Sequence, residues 1–599
     1  MCGIFALFNN VNVFDRETVN KAFLNGVGRG PEYSEYKELS EKVEVGFHRL
    51  AINGLNSESN QPMEIDGITL ICNGEIYNFR TLYDMLGVTP QTDSDCEVII
   101  HLYKKFGIEY SLSLLDGYFS FVIFDGRIPS SPKVVIARDP YGVRPLYILG
   151  SGFKNNFKSH KELEEMQTET KTRNVSKNII AVASDIKMLE PLLNNNGLLI
   201  YPVDEGCYLY SIEHFSPGKY YELNYIFTEF NGWEYDIVFQ KKYNSHPFSP
   251  LESFFDGELI TSMEYNEVYI KVFETFVNSV KKRVVGTTDR PVACLLSGGL
   301  DSSLVAALVS KFYNRPLETY SIGLAGGEDF KYARIVADHI GSKHTEIIVS
   351  EDDFFNAIPE VIRTIESYDT TTVRASVGNY LVSKYIAQHS SAKVIFNGDG
   401  SDELLGGYLY FHAAPDALSF DFEVKRLLND IYYFDVLRSD KSISSNGLEP
   451  RTPFLDREWV TTYLGIPLKF RYNPGKIEKW LLRQSVHAND KSLLPPQVLW
   501  RTKEAFSDGV SSQNKSWYEI ITERTTELMK NATIVPKIYK HLPPTTPEQL
   551  YYRTIFDSYY PNCENVIPYF WMPRFVNATD ASARTLKLYA NHINDNSEA

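Results

Sequence analysis

The stretch that most constrains this chain is Ser297-Gly298-Gly299-Leu300-Asp301-Ser302-Ser303, preceded by the apolar run Val292 to Leu296. A run of that length reads as a buried strand, and Leu304, Val305, Leu308 and Val309 then recur at helical spacing. The glycines therefore fall on a strand-to-helix turn. Gly298 and Gly299 let the backbone approach an anion with no Cβ in the way, and the first helical turn offers it free N–H groups and a positive dipole end. Ser302 and Ser303 are expected to cap that turn. The lysine of a Walker loop is missing, so a kinase-type phosphate loop is excluded.

At 599 residues the chain is long enough for two or three domains, each with its own core. Lys and Arg number 60 against 76 Asp and Glu, a net charge of −16, so no global basic field exists to gather nucleic acid. No apolar run reaches the roughly 20 residues that span a bilayer, and the start lacks the basic region of a signal peptide, so a cytoplasmic, membrane-free protein is expected. The six cysteines contain no C-x-x-C pair, which argues against a zinc site and a disulfide framework. Most are expected to be buried small hydrophobes. Cys2 is the exception, because loss of Met1 would give it a free α-amine, able to act as base for its own thiol.

Apolar or alternating stretches at 43–50, 68–72, 118–124 and 134–137 predict strands. Ser94 with Glu97 three residues on, and Gly107 later, predicts a capped helix over about 94–106. The segment 151–178 is polar and rich in Lys, Glu, Thr and Asn, as an inserted loop would be. A domain boundary is expected in the irregular region 225–258. Beyond it, Glu318 to Leu324 predicts another strand and Lys331 to Ile340 another helix, an alternation that implies a parallel doubly wound sheet with its ligand at the carboxyl ends.

The N-terminal half carries Met1-Cys2-Gly3-Ile4-Phe5, Arg29-Gly30-Pro31, His48-Arg49-Leu50, Asn73-Gly74-Glu75-Ile76-Tyr77-Asn78, Asp93-Ser94-Asp95 and Arg138-Asp139-Pro140-Tyr141-Gly142. In order and spacing these resemble the N-terminal-nucleophile glutaminase domain of class II amidotransferases. The resemblance implies an α+β domain of αββα layers over 1–240, with Cys2 attacking the glutamine amide and the Asn73 side chain and Gly74 N–H forming the oxyanion hole. It also implies that Arg49 grips the glutamine carboxylate, that Glu75 and Asp95 hold its ammonium group, and that Leu50, Ala51, Ile52 and Asn53 line the pocket. Gly28 and Glu32 depart from the family, which usually has His and Asp there.

The phosphate turn resembles the pyrophosphate loop of enzymes that cleave ATP between its α and β phosphates. Further stretches, Glu366 to Ser376, Gly400 to Tyr408, Pro453 to Asp456, Glu478 to Arg483, Arg501 to Gly509 and Phe570 to Pro573, are similar to glutamine-hydrolysing asparagine synthetases. The resemblance implies an α/β parallel-sheet, ATP-pyrophosphatase-like synthetase domain over 255–599. ATP would be held by Leu295, Ser297, Gly298, Gly299, Asp301, Ser302, Ile322, Asn397, Gly398 and Lys479. Mg²⁺ would sit on Asp301 and Asp402, and the substrate aspartate on Thr371, Thr372 and Arg374. Asp399 takes the catalytic place where the family has a glutamate, and Asn397 the place of a serine. Glutamine, aspartate and ATP are thus the implied substrates, and a homodimer is a candidate assembly. A β-lactam-forming synthetase on the same fold, and a lapsed nucleotide-binding homologue, are the alternatives.

Overall fold

A computed structural model describes residues 1–10, 13–151, 179–194, 201–203, 206–208, 210–228, 232–250, 262–286, 288–502, 510–511, 515–531 and 538–586. The expected insertion beyond residue 151, part of the boundary region and the 503–509 part of one motif lie outside them. Two six-stranded sheets build the N-terminal half. The first runs in the order Tyr210–His214, Tyr147–Ser151, Ile179–Ala183, Gly3–Phe8, Val43–Arg49, Tyr33–Ser40, and its neighbours pair antiparallel. The second runs Gly232–Lys242, Lys219–Thr228, Lys133–Arg138, Gly117–Asp125, Ile68–Ile76, Met63–Ile65, again antiparallel throughout.

Side chains alternate across each strand, and that period places the layers. Ile4, Ala6 and Phe8 of the first sheet pack with Ile71, Val122 and Ile136 of the second, so the sheets lie face to face. Phe5 and Leu7 turn the other way, onto the helix Arg16–Leu24. On the far face of the second sheet Leu70, Phe119 and Phe121 pack under Phe79–Leu86 and Val98–Leu114. The helix expected over 94–106 begins as a 3-10 turn at Asp95–Glu97 and breaks at Gly107, φ +76°, before continuing to Leu114. Its capping box does not form. The Glu97 carboxylate accepts instead from the N–H groups of Gln91 and Thr92, at 2.8 and 2.7 Å, which ties down the preceding loop.

The C-terminal half is organised on five parallel strands in the order Lys343–Val349, Glu318–Leu324, Val292–Leu295, Val394–Phe396, Glu449–Arg451. Strand order reverses between Val292–Leu295 and Val394–Phe396. The turns leaving those two strands therefore diverge and open a crevice at their carboxyl ends. Among the described residues no helix is long and apolar enough to cross a membrane.

The halves meet across a seam of buried charge. Arg29 pairs with Asp185 and, across the seam, Asp440; Lys441 pairs back with Asp185 and with Glu366. Glu366 sits in a left-handed conformation, φ +57°, and accepts from the N–H groups of Ile186 and Lys187 at 2.7 and 2.9 Å. Tyr118 donates to the Thr452 carbonyl at 2.6 Å and receives a bond from Arg283 at 2.9 Å.

Candidate active sites

The first site lies at the edge where Gly3–Phe8, Val43–Arg49 and Ile68–Ile76 approach one another. Cys2, partly buried, points its thiol at the Leu50 carbonyl, 3.7 Å away. Burial pushes that thiol up, and the N-terminal amine and Arg49 pull against the shift. Met1 precedes it and is 1% exposed; burial lowers its amine to about 6, with Glu449, Arg144 and Arg29 among the charges around it. Asn73 is fully buried, yet neither polar atom of its side chain has a hydrogen-bond partner. A buried amide left open on both ends costs free energy unless a ligand completes it. Gly74 follows on the same strand, and any Cβ there would lie 2.4 Å from the Tyr118 carbonyl.

Asn53 donates to Glu75 at 2.7 Å and Asp95 at 3.3 Å, which draws these two carboxylates together. Burial raises Asp95 to about 6, against a bond from the Ile76 N–H at 2.6 Å. Glu75 is raised as well, by burial first and then by Asp95 and Glu449. Arg49 donates to the Asn56 carbonyl at 2.8 Å, to Asn60 at 2.6 Å and to the Asn53 and Gly54 carbonyls. Leu50, Ala51 and Ile52 are buried beside it. Glu32, one of the departures noted in the sequence, accepts from the Ala51 N–H at 2.8 Å and pairs with Arg290 at 2.9 Å. It thus holds the loop after Arg49 from outside the pocket.

Arg29 was not among the sequence candidates. Its Nε donates to the Cys2 carbonyl at 3.0 Å while its two terminal nitrogens reach Asp185 and Asp440. Its place in Arg29-Gly30-Pro31, 27 residues from Cys2, was visible; the contact was not, because the partners come from distant segments.

The second site is a cavity of about 230 Å³ at the carboxyl ends of the parallel strands. Leu295, Ser297, Gly299, Asp301, Ser302, Ile322, Thr371, Thr372, Asn397, Gly398, Asp399, Asp402 and Lys479 all line it. Gly298 does not, but it shapes the turn: at φ +75°, a Cβ would strike the Ala333 amide at 2.4 Å. The expected serine caps are absent. Gly299 is the N-cap of Leu300–Phe312 with no side-chain bond, and Ser302 folds back to Ser297, hydroxyl to hydroxyl at 3.0 Å. That leaves the helix N-terminus without a side-chain cap at the cavity wall.

Lys479 Nζ lies 2.6 Å from both Asp301 and Asp402, so the two carboxylates converge on one point. Asp399 is held by Arg438 through one oxygen at 3.0 Å, and its other oxygen is buried without a partner. Asn397 spans the turn, donating to Ser439 at 2.7 Å and accepting from the Asp399 N–H at 3.4 Å. Thr371 Oγ1 is buried and unpartnered, whereas Thr372 donates to its own N-cap, Asp369, at 2.8 Å.

Arg374 is the sequence candidate that the structure sets apart. It does not line the cavity; both edges of its guanidinium are taken by Glu548 and by Asp580, the latter at 2.7 Å. Burial works against its charge, and the two carboxylates outweigh that and hold it well above its usual range. The fork that a carboxylate ligand would use is filled by the protein's own carboxylates.

Comparison with known proteins accords with this geometry. A glutamine amidotransferase domain model matches residues 1–229, and an asparagine synthase model matches residues 271–428 and 416–574. The asparagine synthetase [glutamine-hydrolyzing] of Gallus gallus is 39% identical over 611 residues, covering 99% of this chain and 100% of the relative. The chain belongs to the glutamine-hydrolysing asparagine synthetase family. The human member is 38% identical over 607 residues, with 99% of this chain and 100% of that one covered. The NMN synthetase structure from Francisella tularensis covers 47% of this chain at 13% identity with a TM-score of 0.20, too low to bear on the fold.

Proposed function

We propose that this protein makes asparagine from aspartate, ATP and glutamine, with an N-terminal-nucleophile glutaminase domain over 1–240 and a synthetase domain over 255–599. The observation that carries this reading is full-length similarity to asparagine synthetases. In the first site Cys2, freed of Met1, gives its thiol proton to its own α-amine and attacks the glutamine amide. The developing oxyanion takes up the open Asn73 amide and the Gly74 N–H, which cost no reorganisation when charge forms there. Glu75 and Asp95 take the α-ammonium and Arg49 the α-carboxylate.

In the second site ATP lies along the turn after Val292–Leu295, its phosphates against the N-terminus of Leu300–Phe312, and Lys479 holds the departing pyrophosphate. Asp301 and Asp402 would hold Mg²⁺ once Lys479, whose Nζ lies 2.6 Å from both, turns to the pyrophosphate: they are hard oxygen donors on the cavity wall, as suits an ion that shares substrate phosphates. Bound there, it would neutralise phosphate charge. Thr371 and Thr372 face the aspartate, and Arg374 stiffens the wall behind them through Glu548 and Asp580. Asp399, whose second carboxylate oxygen is buried and unpartnered, would take a proton as ammonia attacks the adenylated carboxylate. Ammonia released at Cys2 stays reactive only if kept from water, so a sheltered route from the first site to the second is part of this reading.

The test is product analysis of two variants. Cys2→Ala should lose glutamine hydrolysis and still make asparagine from added ammonia; Asp301→Ala should lose AMP formation and still hydrolyse glutamine. Loss of both activities in either variant, or Met1 retained by intact mass in active protein, would overturn the reading.

A further inference from the structure

Ten residues, Asp435–Ser444, form a helix of the C-terminal half whose every residue from Val436 to Ser444 is buried. One end grips the turn that carries Asp399. Asp435 accepts from the Gly400 N–H at 2.9 Å, Arg438 pairs with Asp399 at 3.0 Å, and Ser439 receives the Asn397 amide at 2.7 Å. The next residue reaches the other active site. Asp440 Oδ1 accepts from Arg29 at 2.8 Å, and that same guanidinium donates from Nε to the Cys2 carbonyl at 3.0 Å. Its second carboxylate oxygen lies 3.5 Å from Arg144, a looser pair. Arg29 and Asp440 are each about 1% exposed, so water cannot replace either partner.

Three groups fix the guanidinium: the Cys2 carbonyl, Asp185 and Asp440. Of these only Asp440 comes from the synthetase half. A planar fork held at three edges cannot rotate, so the docked helix helps fix the Cys2 carbonyl, just before Gly3–Phe8, relative to Asn73 and Gly74. We infer that Asp440 is a positioning residue for glutamine hydrolysis, contributed by the synthetase domain and acting through Arg29 on the nucleophile. The inference rests on Cys2 being that nucleophile. It makes the glutaminase site incomplete within its own domain.

The experiment is a double-mutant cycle in the full-length enzyme, with Asp440→Asn, Arg29→Gln and the pair, measuring kcat and KM for glutamine and, separately, asparagine formation from ammonia. Asp440→Asn keeps the shape and removes the charge. It should lower kcat for glutamine by roughly 10- to 100-fold, the cost of a misplacement of up to about 1 Å, with KM little changed and ammonia-dependent synthesis kept. The pair should lose no more than Arg29→Gln alone, because the two act as one unit. Wild-type kcat in Asp440→Asn, losses that add in the pair, or parallel loss of ammonia-dependent synthesis would each overturn the inference. Glutamine hydrolysis surviving in Cys2→Ala would instead defeat the underlying reading.

Discussion

Replacing Arg374 by methionine separates a wall residue from a substrate ligand. The side chain is 4% exposed and faces Glu548, 5% exposed, and Asp580, 18% exposed. Methionine keeps much of the aliphatic volume and leaves two carboxylates without their cation, one of them in the interior. Breaking a buried ion pair from one side costs about 3–5 kcal/mol, because the surviving charge is uncompensated. In a large domain each kcal/mol moves the melting temperature by roughly 2–4 °C, so a fall of about 6–20 °C is expected. Adding Glu548→Gln and Asp580→Asn removes the stranded charges and should recover part of that loss. The assay is thermal unfolding of the three proteins beside steady-state kinetics in aspartate. A melting temperature held within a degree, together with a large rise in KM for aspartate alone, would refute the reasoning and return Arg374 to the substrate.

The raised Asp95 carboxyl, at about 6 against an ordinary 3.8, is ionised above that pH and protonated below it. If Asp95 holds the glutamine ammonium, kcat/KM for glutamine should fall an additional tenfold or so per pH unit below about 6, and Asp95→Asn should lack that added slope; the same profile in both proteins would exclude Asp95 from the pocket. Gly407→Ala should abolish AMP formation with glutamine hydrolysis intact, since the new Cβ would lie 2.1 Å from Lys479 Cε and 2.3 Å from Asp402 Oδ1; pyrophosphate exchange at wild-type rate would show that these side chains can yield. The native chain, with Asp399 and Asn397, should form asparagine measurably; if only the double variant Asp399→Glu, Asn397→Ser does so, the synthetase half is lapsed.

What was legible in the sequence was whatever one short segment decides by itself. The strand before Ser297, the glycine turn and the helix after it follow from local period and composition, and they lie where expected, from Val292 to Phe312. Segments that depend on partners elsewhere were less so. Ser94 and Glu97 satisfy the local rule for a capping box, but Glu97 is drawn off by the amides of Gln91 and Thr92. Ser302 satisfies the rule for a cap and turns back to Ser297. Arg374 has the right chemistry for a carboxylate, and only the fold discloses that Glu548, 174 residues away, supplies it. Arg29 illustrates the converse: its motif is plain in the sequence, and its partner Asp440 lies 411 residues away.

The buried charges of the seam bear on engineering. Arg29 and Asp185 on one side, Glu366, Asp440 and Lys441 on the other, have no water to turn to if their counterparts are exchanged. A chimera that joins this N-terminal half to a relative's C-terminal half keeps Arg29 and Asp185, and each must find its opposite in the new half within hydrogen-bond reach, or strand an ion in the dry interior. A join at the linker must therefore satisfy the seam as well as the two halves.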